Sequence, residues 1–403
     1  MDVKSGKSAL TGVVVLDASR VLAGPLSGQI LGDHGAEVIK VESFDGDDTR
    51  QYGPPFVGND APYYLGLNRN KRDIALNLSE QEGRDMFLEM LEKVDVLVEN
   101  FKLSTWRRWG FDDISVLSER FPRLIHCRIS GFGEEGQFGG MPGYDAAVQA
   151  MSGLMSINGD PKSGPVRMGI ALVDINTGMN AAMAVLLALY ERERSGRGQM
   201  LEVTLFDTAL ALLHPHTVNV MHGGRAEITG NGHPNIVPYD LFPTRTGDLF
   251  VAIGNDRQFR MLCQELGRRE LGTDPAYVTN RQRVINRAAL TETLKELLAE
   301  CDAMELFERL MGLGIPCSPR LTVEEALALP HTEARGMRLE RNGYRGTGIP
   351  IKLSRTPGQL RLPPPGIGEH SREVLERFGY TPEKIEDAIG RQIVKQSQAT
   401  EHQ

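Results

Sequence analysis

The chain has few cysteines, and none of them is paired in the spacing of a redox or metal motif. Its 403 residues include only Cys127, Cys263, Cys301 and Cys317, all well separated in sequence. Because disulfide frameworks and zinc ribbons need paired cysteines, this distribution predicts reduced thiols in a cytoplasmic protein. Residues 1–12 are polar and contain no apolar segment, so we expect no secretory signal.

Long apolar runs and an excess of positive charge are also missing. No apolar run approaches the roughly 20 residues that span a bilayer, and the longest, residues 179–190, predicts a buried helix. The net charge of −8 argues against a general nucleic-acid or membrane-surface binder, because such proteins present a broad basic face. We therefore expect a soluble protein with two domains, since 403 residues exceed what one core usually serves.

Several familiar catalytic signatures are absent. The sequence has no HExxH, GxSxG or P-loop pattern. Residues 131–136 match GxGxxG, but residues 137–142 cannot start a helix properly, and two glutamates in the loop would repel a phosphate. We therefore reject a nicotinamide site there. His214 and His216 lack a third ligand at a regular spacing, so we expect no metal.

Strand and helix patterns alternate in the first third of the chain. A capping box at residues 79–82 predicts the start of one helix, and another helix is expected at 25–35. Apolar runs predict strands at residues 13–17, 37–42, 94–98 and 124–129. This βαβ repetition predicts an α/β fold with a doubly wound sheet and right-handed crossovers.

The middle and the end of the chain predict a second domain and a return to the first. One long helix is expected at residues 177–194 and another at 207–220, before a Gly- and Pro-rich stretch at 223–238. We expect the first part of a large domain at residues 1–222, a smaller α+β domain at 223–330, and a segment that returns to the large domain at 331–403.

Basic residues cluster near the ends of the early strands, at residues 68–72, 100–102 and 107–108. Ligands of open α/β sheets bind beyond the carboxyl ends of the strands, so this charge suggests a phosphate-bearing ligand. A solvated charged face explains it equally well.

One acid, Asp174, ends an apolar run directly before the predicted long helix. Aspartate is a favoured N-cap worth ~1 kcal/mol, which gives it a purely structural interpretation. Asn176 or Thr177 could cap the helix instead. Asp174 would then be a carboxylate that the helix dipole keeps ionised and presents as a nucleophile. The residues alone leave both interpretations open.

The combined motifs resemble the class III CoA-transferase family, also called CaiB/BaiF. The resemblance covers residues 10–375 and is carried by the Asp174 segment, Gly368, His370 and residues 15–17, 21–25, 31–33, 38–42, 68–71, 98–101, 143–145, 195–199 and 363–365. A narrower similarity, to the branch that contains succinate–hydroxymethylglutarate CoA-transferase, rests on residues 46–50, 53–58 and 235–239.

This resemblance implies a Rossmann-like large domain built from both chain ends, an inserted smaller domain, and two ring-like subunits interlocked in a homodimer. It implies that Asp174 attacks a donor thioester, so that CoA passes to a carboxylic acid through mixed anhydrides and an aspartyl-CoA thioester. Acyl-CoA and a small acid are then the substrates, and neither a metal nor a tightly bound cofactor is needed. Nucleic acids and membranes are not expected partners.

By the same resemblance, CoA contacts fall on Val21, Leu22, Ala23, Asn68, Lys71, Asn100, Phe101, Arg108 and Tyr144. Lys71 and Arg108 would neutralise phosphates, and Gly230, Asn231 and Gly232 match a lid. Ser43 stands where relatives often have an arginine, for which Arg50 could substitute. Leu22 stands where the formyl-CoA branch has glutamine, which argues against formyl and oxalate substrates.

Two alternatives remain at this stage. An α-methylacyl-CoA racemase on the same fold needs a histidine where this chain has Tyr144, and a phenol of pKa about 10 is a poor base at neutral pH. A CoA-binding module without catalysis would not need Asp174. We therefore expect a transferase, with succinyl-CoA as donor and a branched dicarboxylate as acceptor; oxalate and carnitine stay open.

Overall fold

The computed structural model describes residues 8–111, 115–341 and 343–397. The chain divides into two compact units. The first contains Met1–Ser152, Gly169–Leu213 and His331–Gln403, and the second contains Gly153–Met168 and His214–Pro330. Both chain ends therefore belong to one unit.

Within the described ranges, the strands are β1 (Val14–Ala18), β2 (Glu37–Glu42), β3 (Lys71–Leu76), β4 (Val96–Glu99), β5 (Ile125–Ser130), β6 (Gly159–Asp160), β7 (Gly164–Pro165), β8 (Met200–Thr204), β9 (Tyr239–Thr244), β10 (Gly247–Ala252), β11 (Cys317–Pro319), β12 (Arg338–Arg341), β13 (Tyr344–Thr347) and β14 (Val394–Lys395). The α-helices are α1 (Ala23–Asp33), α2 (Pro62–Leu65), α3 (Gln81–Leu91), α4 (Leu103–Arg108), α5 (Val116–Arg120), α6 (Asp145–Met151), α7 (Leu154–Ile157), α8 (Leu172–Ser195), α9 (Leu205–Leu212), α10 (His216–Met221), α11 (Asp256–Glu265), α12 (Asn280–Ile285), α13 (Arg287–Ala299), α14 (Ala303–Gly312), α15 (Val323–Ala328), α16 (Pro330–Ala334), α17 (Ser371–Arg377) and α18 (Pro382–Gly390).

The first unit is built on a seven-stranded sheet in the order β14-β3-β2-β1-β4-β5-β8. Its strands pair in parallel, except that β14 pairs with β3 antiparallel. The predicted α/β sheet is thus confirmed. In the sheet, β2 and β3 lie on one side of β1, and β4, the next strand along the chain, lies on the other side. The switch point between β1 and β4 is where such sheets bind ligands.

Helices cover both faces of this sheet. On one face, α1, α8 and α9 contribute to a core that includes Val15, Val38, Val98 and Val185. On the other face, α3, α17 and α18 pack with Leu16, Ile39 and Ile74. Since both faces are covered, β1 is buried at every residue, which explains its continuous apolar sequence.

A close approach between α1 and α8 depends on Gly178. A Cβ at this position would lie 2.5 Å from the carbonyl oxygen of Ala23, which is closer than atoms can pack. The absence of a side chain lets the first turns of α8 lie against the start of α1. Asp174, one turn before Gly178, is thereby brought to the N-terminal end of α1.

Among the described residues, α8 is long and apolar enough, by length and composition, to cross a membrane. It has 24 residues, and its 18-residue test window has a mean hydropathy of 1.5. The apolar run predicted at residues 179–190 is therefore only part of this helix. Ala181, Val185 and Ala188 of this helix are buried in the core of the first unit, as in the core helix of a globular domain.

The second unit has its own small sheet, in the order β11-β10-β9, with antiparallel pairing throughout. Helices α11, α13 and α14 pack on it around Phe242, Leu249 and Leu294. Residues 153–168 also belong to this unit, where Asp160 and Pro161 lie near Gly230. The second part of this unit begins at His214, and within it Asn219 of α10 donates a hydrogen bond of 3.1 Å to Asn235.

Three local predictions need correction. The capping box is not formed: the Ser79 hydroxyl donates to Asn77, and Glu80 precedes α3 without a side-chain cap. The helix predicted at 207–220 is interrupted before α10 by Pro215, which has no N–H to continue the first helix. The long helix α8 begins at Leu172, so Asp174 lies inside its first turn rather than ahead of it.

Candidate active site

A cavity of about 300 Å³ lies at the carboxyl ends of β1, β4 and β5, at the switch point of the sheet. It is lined by the loop after β1, the loop after β4, and the Gly-rich loop after β5. Of the residues predicted from sequence, those on its wall are Val21, Leu22, Ala23, Asn100, Phe101, Tyr144 and Asp174. The fold therefore brings together segments that are far apart along the chain.

The loop after β1 is held in a strained conformation at Val21. This β-branched residue has a φ of 72°, in the left-handed region that such residues rarely adopt. Its N–H points to both carboxylate oxygens of Asp47, each at 3.3 Å. Asp47 is itself buried and bonded to Lys40 at 3.1 Å. Strain of this kind costs about 1–3 kcal/mol and persists at functional sites when the surroundings enforce it.

Asn100 ties the two central loops together. Its side-chain oxygen accepts the N–H of Arg20 at 3.1 Å, and its side-chain nitrogen donates to the carbonyl of Arg20 at 2.9 Å. Phe101 follows, with its N–H donated to Glu99 at 2.6 Å and its ring packed on Trp106 and Trp109. These contacts fix the cavity wall on the β4 side of the switch point.

Asp174 occupies the third position of α8, and its backbone is capped by another helix. Ala171 precedes α8 without a side-chain bond. Instead, Asp145 of α6 accepts the N–H groups of Val173 at 2.8 Å and Asp174 at 3.1 Å. Asn176 and Thr177, the caps suggested by sequence, bond to the carbonyls of Leu172 and Val173 within the helix. Asp174 is therefore not the cap of its own helix.

The environment of Asp174 disfavours its ionised form. Burial, together with the nearby Asp145 carboxylate, raises the pKa of Asp174 to about 7. Loss of solvent and the Asp145 charge thus oppose the effect of the helix dipole, which the sequence analysis expects to keep this group ionised. Burial and the nearby Asp174 carboxylate raise the pKa of Tyr63 to about 12. A raised carboxyl pKa in a cavity is typical of a reactive group.

Asn68 and Lys71 lie outside this cavity, and their hydrogen bonds connect β3 to β1 and α1. The ammonium of Lys71 is fully buried and donates to Asp17 at 2.8 Å, to the carbonyl of Pro25 at 2.7 Å and to Asn68 at 2.8 Å. With its donors occupied, Lys71 does not fit the predicted role of a phosphate ligand.

Arg50 has a similar structural role. Its guanidinium is buried between Glu42 and Asp60 and contacts the ring of Tyr64. It therefore cannot replace the arginine that is missing at Ser43. Arg108 is exposed and lines a separate groove beside Phe101 and Trp109, not the main cavity.

The sequence analysis missed three residues around the cavity. Arg20, whose side chain is 62% exposed, lies at its edge and reaches Asp48 only at 3.8 Å. Arg128 is buried and bridges Glu99 at 2.9 Å and Glu134 at 2.7 Å. It thus anchors the Gly-rich loop and neutralises one of the two glutamates expected to repel an anion. Asp145, described above, is the third.

The predicted lid residues Gly230, Asn231 and Gly232 belong to the second unit. There the Thr229 hydroxyl donates to the carbonyl of Gly232 at 2.5 Å, and Gly230 has a φ of 61°. Their role as a lid stays a prediction. In the part of the chain that the structure describes, no group of three or more His, Cys, Asp or Glu side chains is placed to hold a metal ion.

A cavity at the switch point of an open α/β sheet, with a carboxyl group of raised pKa on its wall, is suited to acyl transfer through a covalent intermediate. Residues 10–371 match the model of CoA-transferase family III, and the chain belongs to this family.

Its relatives include named transferases. The chain is 40% identical to succinate–glutarate CoA-transferase of Agrobacterium fabrum, over 93% of this chain and 96% of that protein. It is 36% identical to human succinyl-CoA:glutarate CoA-transferase, over 96% and 90% of the two chains. A solved CaiB/BaiF family protein from Brucella suis superposes with a TM-score of 0.82 at 38% identity, covering 93% of this chain and 100% of that one.

Proposed function

We propose that this CoA-transferase moves CoA from succinyl-CoA to a small dicarboxylic acid, with Asp174 as the covalent nucleophile. The observation that carries the proposal is the Asp174 carboxyl group on the wall of the switch-point cavity, with its raised pKa and no role in capping its own helix. The donor and the acceptor class are taken from relatives named for succinate and glutarate.

In the proposed reaction, the Asp174 carboxylate adds to the thioester carbonyl and expels CoA thiolate, which leaves a mixed anhydride. The thiolate attacks the Asp174 carbonyl, releases succinate and forms an aspartyl-CoA thioester. The acceptor carboxylate then attacks this thioester, and the thiolate opens the second anhydride to give product and regenerate Asp174. Each step exchanges one activated acyl group for another.

The start of α1 supports the negative charge that moves during these steps. Leu22 precedes α1 without a side-chain cap, and the first turn contains no acidic residue. The partial positive charge of a helix N-terminus stabilises an oxyanion or a thiolate placed there. Because Gly178 keeps α8 against Ala23, this charge acts close to Asp174.

The CoA contacts follow the cavity wall. We assign the pantetheine and thioester to Val21, Leu22, Ala23, Asn100, Phe101 and Tyr144, all of which line the cavity. For the phosphates we assign Arg20 and Lys102, exposed cations at the same wall, in place of the buried Lys71. Arg108, in the neighbouring groove, stays a candidate for the outer phosphate.

We further propose a cytoplasmic homodimer that uses no tightly bound cofactor. The four cysteines are free thiols, as a reducing compartment would keep them. Helix α8 exposes an apolar stripe at Met179, Met183, Leu187 and Tyr190. These positions are spaced four, four and three residues apart on one helix face, and a second copy of the chain would bury them. Exclusion of water by residues 230–232 completes the proposal, because the anhydrides hydrolyse easily.

The test is intact mass after incubation with succinyl-CoA and quenching with hydroxylamine or borohydride. Wild type should gain a CoA adduct or a trapped aspartyl derivative, and Asp174→Ala should not. Asp207→Ala is the matched control, because Asp207 holds the same third position in α9 but is exposed. If wild type binds CoA without being modified, either succinyl-CoA is not the donor or the proposed mechanism is wrong. Exchange of the α-proton in deuterated water would then support the racemase.

Acceptor specificity is a separate question. A relative from Acetobacter aceti, named acetyl-CoA:oxalate CoA-transferase, is 40% identical over 86% of this chain and 90% of its own length. Competition between glutarate, a branched dicarboxylate and oxalate for the enzyme loaded with succinyl-CoA, before any quench, would rank them. We expect glutarate or a branched dicarboxylate to turn over faster than oxalate; preference for oxalate would contradict the proposal.

A further inference from the structure

Asp145 is a buried carboxylate directly beside the proposed nucleophile. It is the first residue of α6 and is only 6% exposed. One of its oxygens accepts the side-chain amide of Gln149 at 2.5 Å. The other accepts the N–H groups of Val173 and Asp174, at 2.8 and 3.1 Å. The bonds to Val173 and Asp174 join α6 to α8, and the bond from Gln149, within α6, holds the Asp145 side chain in place.

The two N–H groups are those that an N-cap side chain would normally receive. Ser, Thr, Asp or Asn before a helix accepts the amides of its second and third residues. In α8 these are Val173 and Asp174, and the residue before the helix, Ala171, has no side chain that can reach them. Asp145 therefore caps α8 from another helix, and it does so with a full negative charge.

This cap changes the electrostatic effect of the α8 N-terminus on the Asp174 carboxylate. A free helix N-terminus stabilises a nearby anion by charge and by hydrogen bonds. Here those N–H groups are already bonded to a carboxylate, and the negative charge of that carboxylate faces Asp174. Consistently, burial and Asp145 act together to raise the pKa of Asp174 to about 7. The phenols of Tyr63, on α2, and Tyr144, next to Asp145, are further ionisable groups on this side. The charged groups that line the same cavity are Arg20, Asp48, Lys102, Arg128 and Glu134.

We propose that Asp145 is a positioning residue that caps α8 and at the same time keeps the Asp174 carboxylate poorly stabilised, and therefore strongly nucleophilic. The inference rests on the function proposed above. Asp174 loses its charge when its oxygen bonds to the acyl carbon and the carbon–sulfur bond breaks, with the charge leaving on the CoA thiolate. Formation of the anhydride thus relieves the repulsion between the two carboxylates. The same relief persists in the aspartyl-CoA thioester.

The test compares wild type with Asp145→Asn and Asp145→Glu. Asparagine can still accept the helix N–H groups through its oxygen, and Gln149 can turn its amide to accept the new N–H₂, so the cap is kept while the charge is lost. Glutamate keeps the charge. The measured quantity is the rate of adduct formation on Asp174 from succinyl-CoA as a function of pH, followed by rapid quench and intact mass.

Asp174 must be ionised to attack, so the rate falls as the pH drops through its pKa. For wild type we expect half of the maximal rate near pH 7. For Asp145→Asn, removal of a like charge should shift this point down by about 1–2 pH units. At pH 8, where both proteins are ionised, the rate should fall about three- to tenfold, because nucleophilicity declines as the pKa declines. Asp145→Glu should keep the midpoint near that of wild type.

An unshifted midpoint in folded Asp145→Asn would overturn the inference, because loss of a purely structural cap lowers the rate without moving the midpoint. If Asp145→Asn does not fold, Asp145→Ser takes its place, because a hydroxyl accepts helix N–H groups without a charge. A midpoint below that of wild type then supports the inference; an unshifted midpoint, or a wild-type midpoint near pH 4–5, overturns it. The substrate's own ionisations are common to all three proteins. Absence of any adduct on wild type would instead refute the proposed function.

Discussion

Helices α8 and α9 each have an acidic residue in their first turn, but the cap of the helix and the exposure of that residue differ. Each has an aspartate at its third position, Asp174 in α8 and Asp207 in α9. In α9, Thr204 of the same chain segment caps the helix by accepting the Asp207 N–H at 3.0 Å, and Asp207 is exposed. In α8, the cap is supplied by Asp145, and Asp174 lies on the wall of the cavity.

Residue type and helix position alone therefore do not make an aspartate reactive. Asp207 can be solvated and sits at a helix start whose cap is a neutral hydroxyl. Asp174 is half-buried beside a second carboxylate, and its loss of solvent together with Asp145 raises its pKa to about 7. A reactive acid is therefore defined by the groups that the fold places around it.

The largest expected effect comes from removing each acid in turn. Asp174→Ala should reduce kcat by at least about 10³-fold, because covalent catalysis is lost with the nucleophile. Asp207→Ala should leave kcat within about twofold, as expected of an exposed side chain. Steady-state transfer from succinyl-CoA to glutarate measures both. Equal losses of kcat in the two variants would show that the different surroundings of Asp174 and Asp207 do not matter for function.

The second prediction separates buried from exposed cations. Lys71→Met leaves Asp17 buried without its partner and should destabilise the protein by about 3–5 kcal/mol in urea unfolding. Lys102→Ala should leave stability nearly unchanged but raise KM for succinyl-CoA, by about three- to tenfold at low salt and less at high salt. An Lys102→Ala enzyme with unchanged KM would return the phosphate role to other residues.

The third prediction concerns the close approach that positions α8. Gly178→Ala forces a methyl group to within 2.5 Å of the Ala23 carbonyl oxygen, so we expect a loss of about 1–3 kcal/mol in stability and a lower kcat. Gly312→Ala is the control, because a Cβ there meets no atom within 4 Å and the residue ends α14. It should be neutral or slightly stabilising, by up to about 1 kcal/mol. Thermal unfolding of both variants, with activity, distinguishes them.

The smallest effect should come from the cap of α9. Thr204→Ala removes the oxygen that accepts the Asp207 N–H and should cost about 1 kcal/mol in stability. The pH at which adduct formation is half-maximal should stay at the wild-type value, in contrast to Asp145→Asn. A shift in Thr204→Ala would mean that any disturbed cap moves the profile, which would remove the distinction between the two helices.

The sequence predicts the sheet well because its signals are local. The apolar runs that form β1, β2 and β5 and the long helix α8 are continuous in sequence, and the strand at 37–42 is found at the predicted bounds. In the last segment, Val374 and Leu375 of α17 pack in the core of the first unit, where the sequence analysis expects a return to the large domain. The capping box predicted at Ser79 is not formed, because capping depends on side-chain geometry that a motif does not fix.

The site could be predicted only where it depends on residue type and position along a strand or helix. Asp174 was singled out from its place near the start of a helix, and Val21–Ala23 from the family resemblance; all of them line the cavity. The cap by Asp145 was not predicted, because it joins residues 29 positions apart through a tertiary contact. Lys71 was assigned to a phosphate since sequence shows its charge but not its buried partner, Asp17. The strain at Val21 likewise depends on Asp47, which a motif does not reveal.

The most direct test of the central claim is peptide mapping of the trapped intermediate. Wild-type protein is mixed with succinyl-CoA, reduced with borohydride, digested and sequenced by tandem mass spectrometry. We expect a modified residue at Asp174 and an unmodified Asp207 in the same digest. A modification at Asp207, or at any residue outside the cavity, with Asp174 untouched would contradict it.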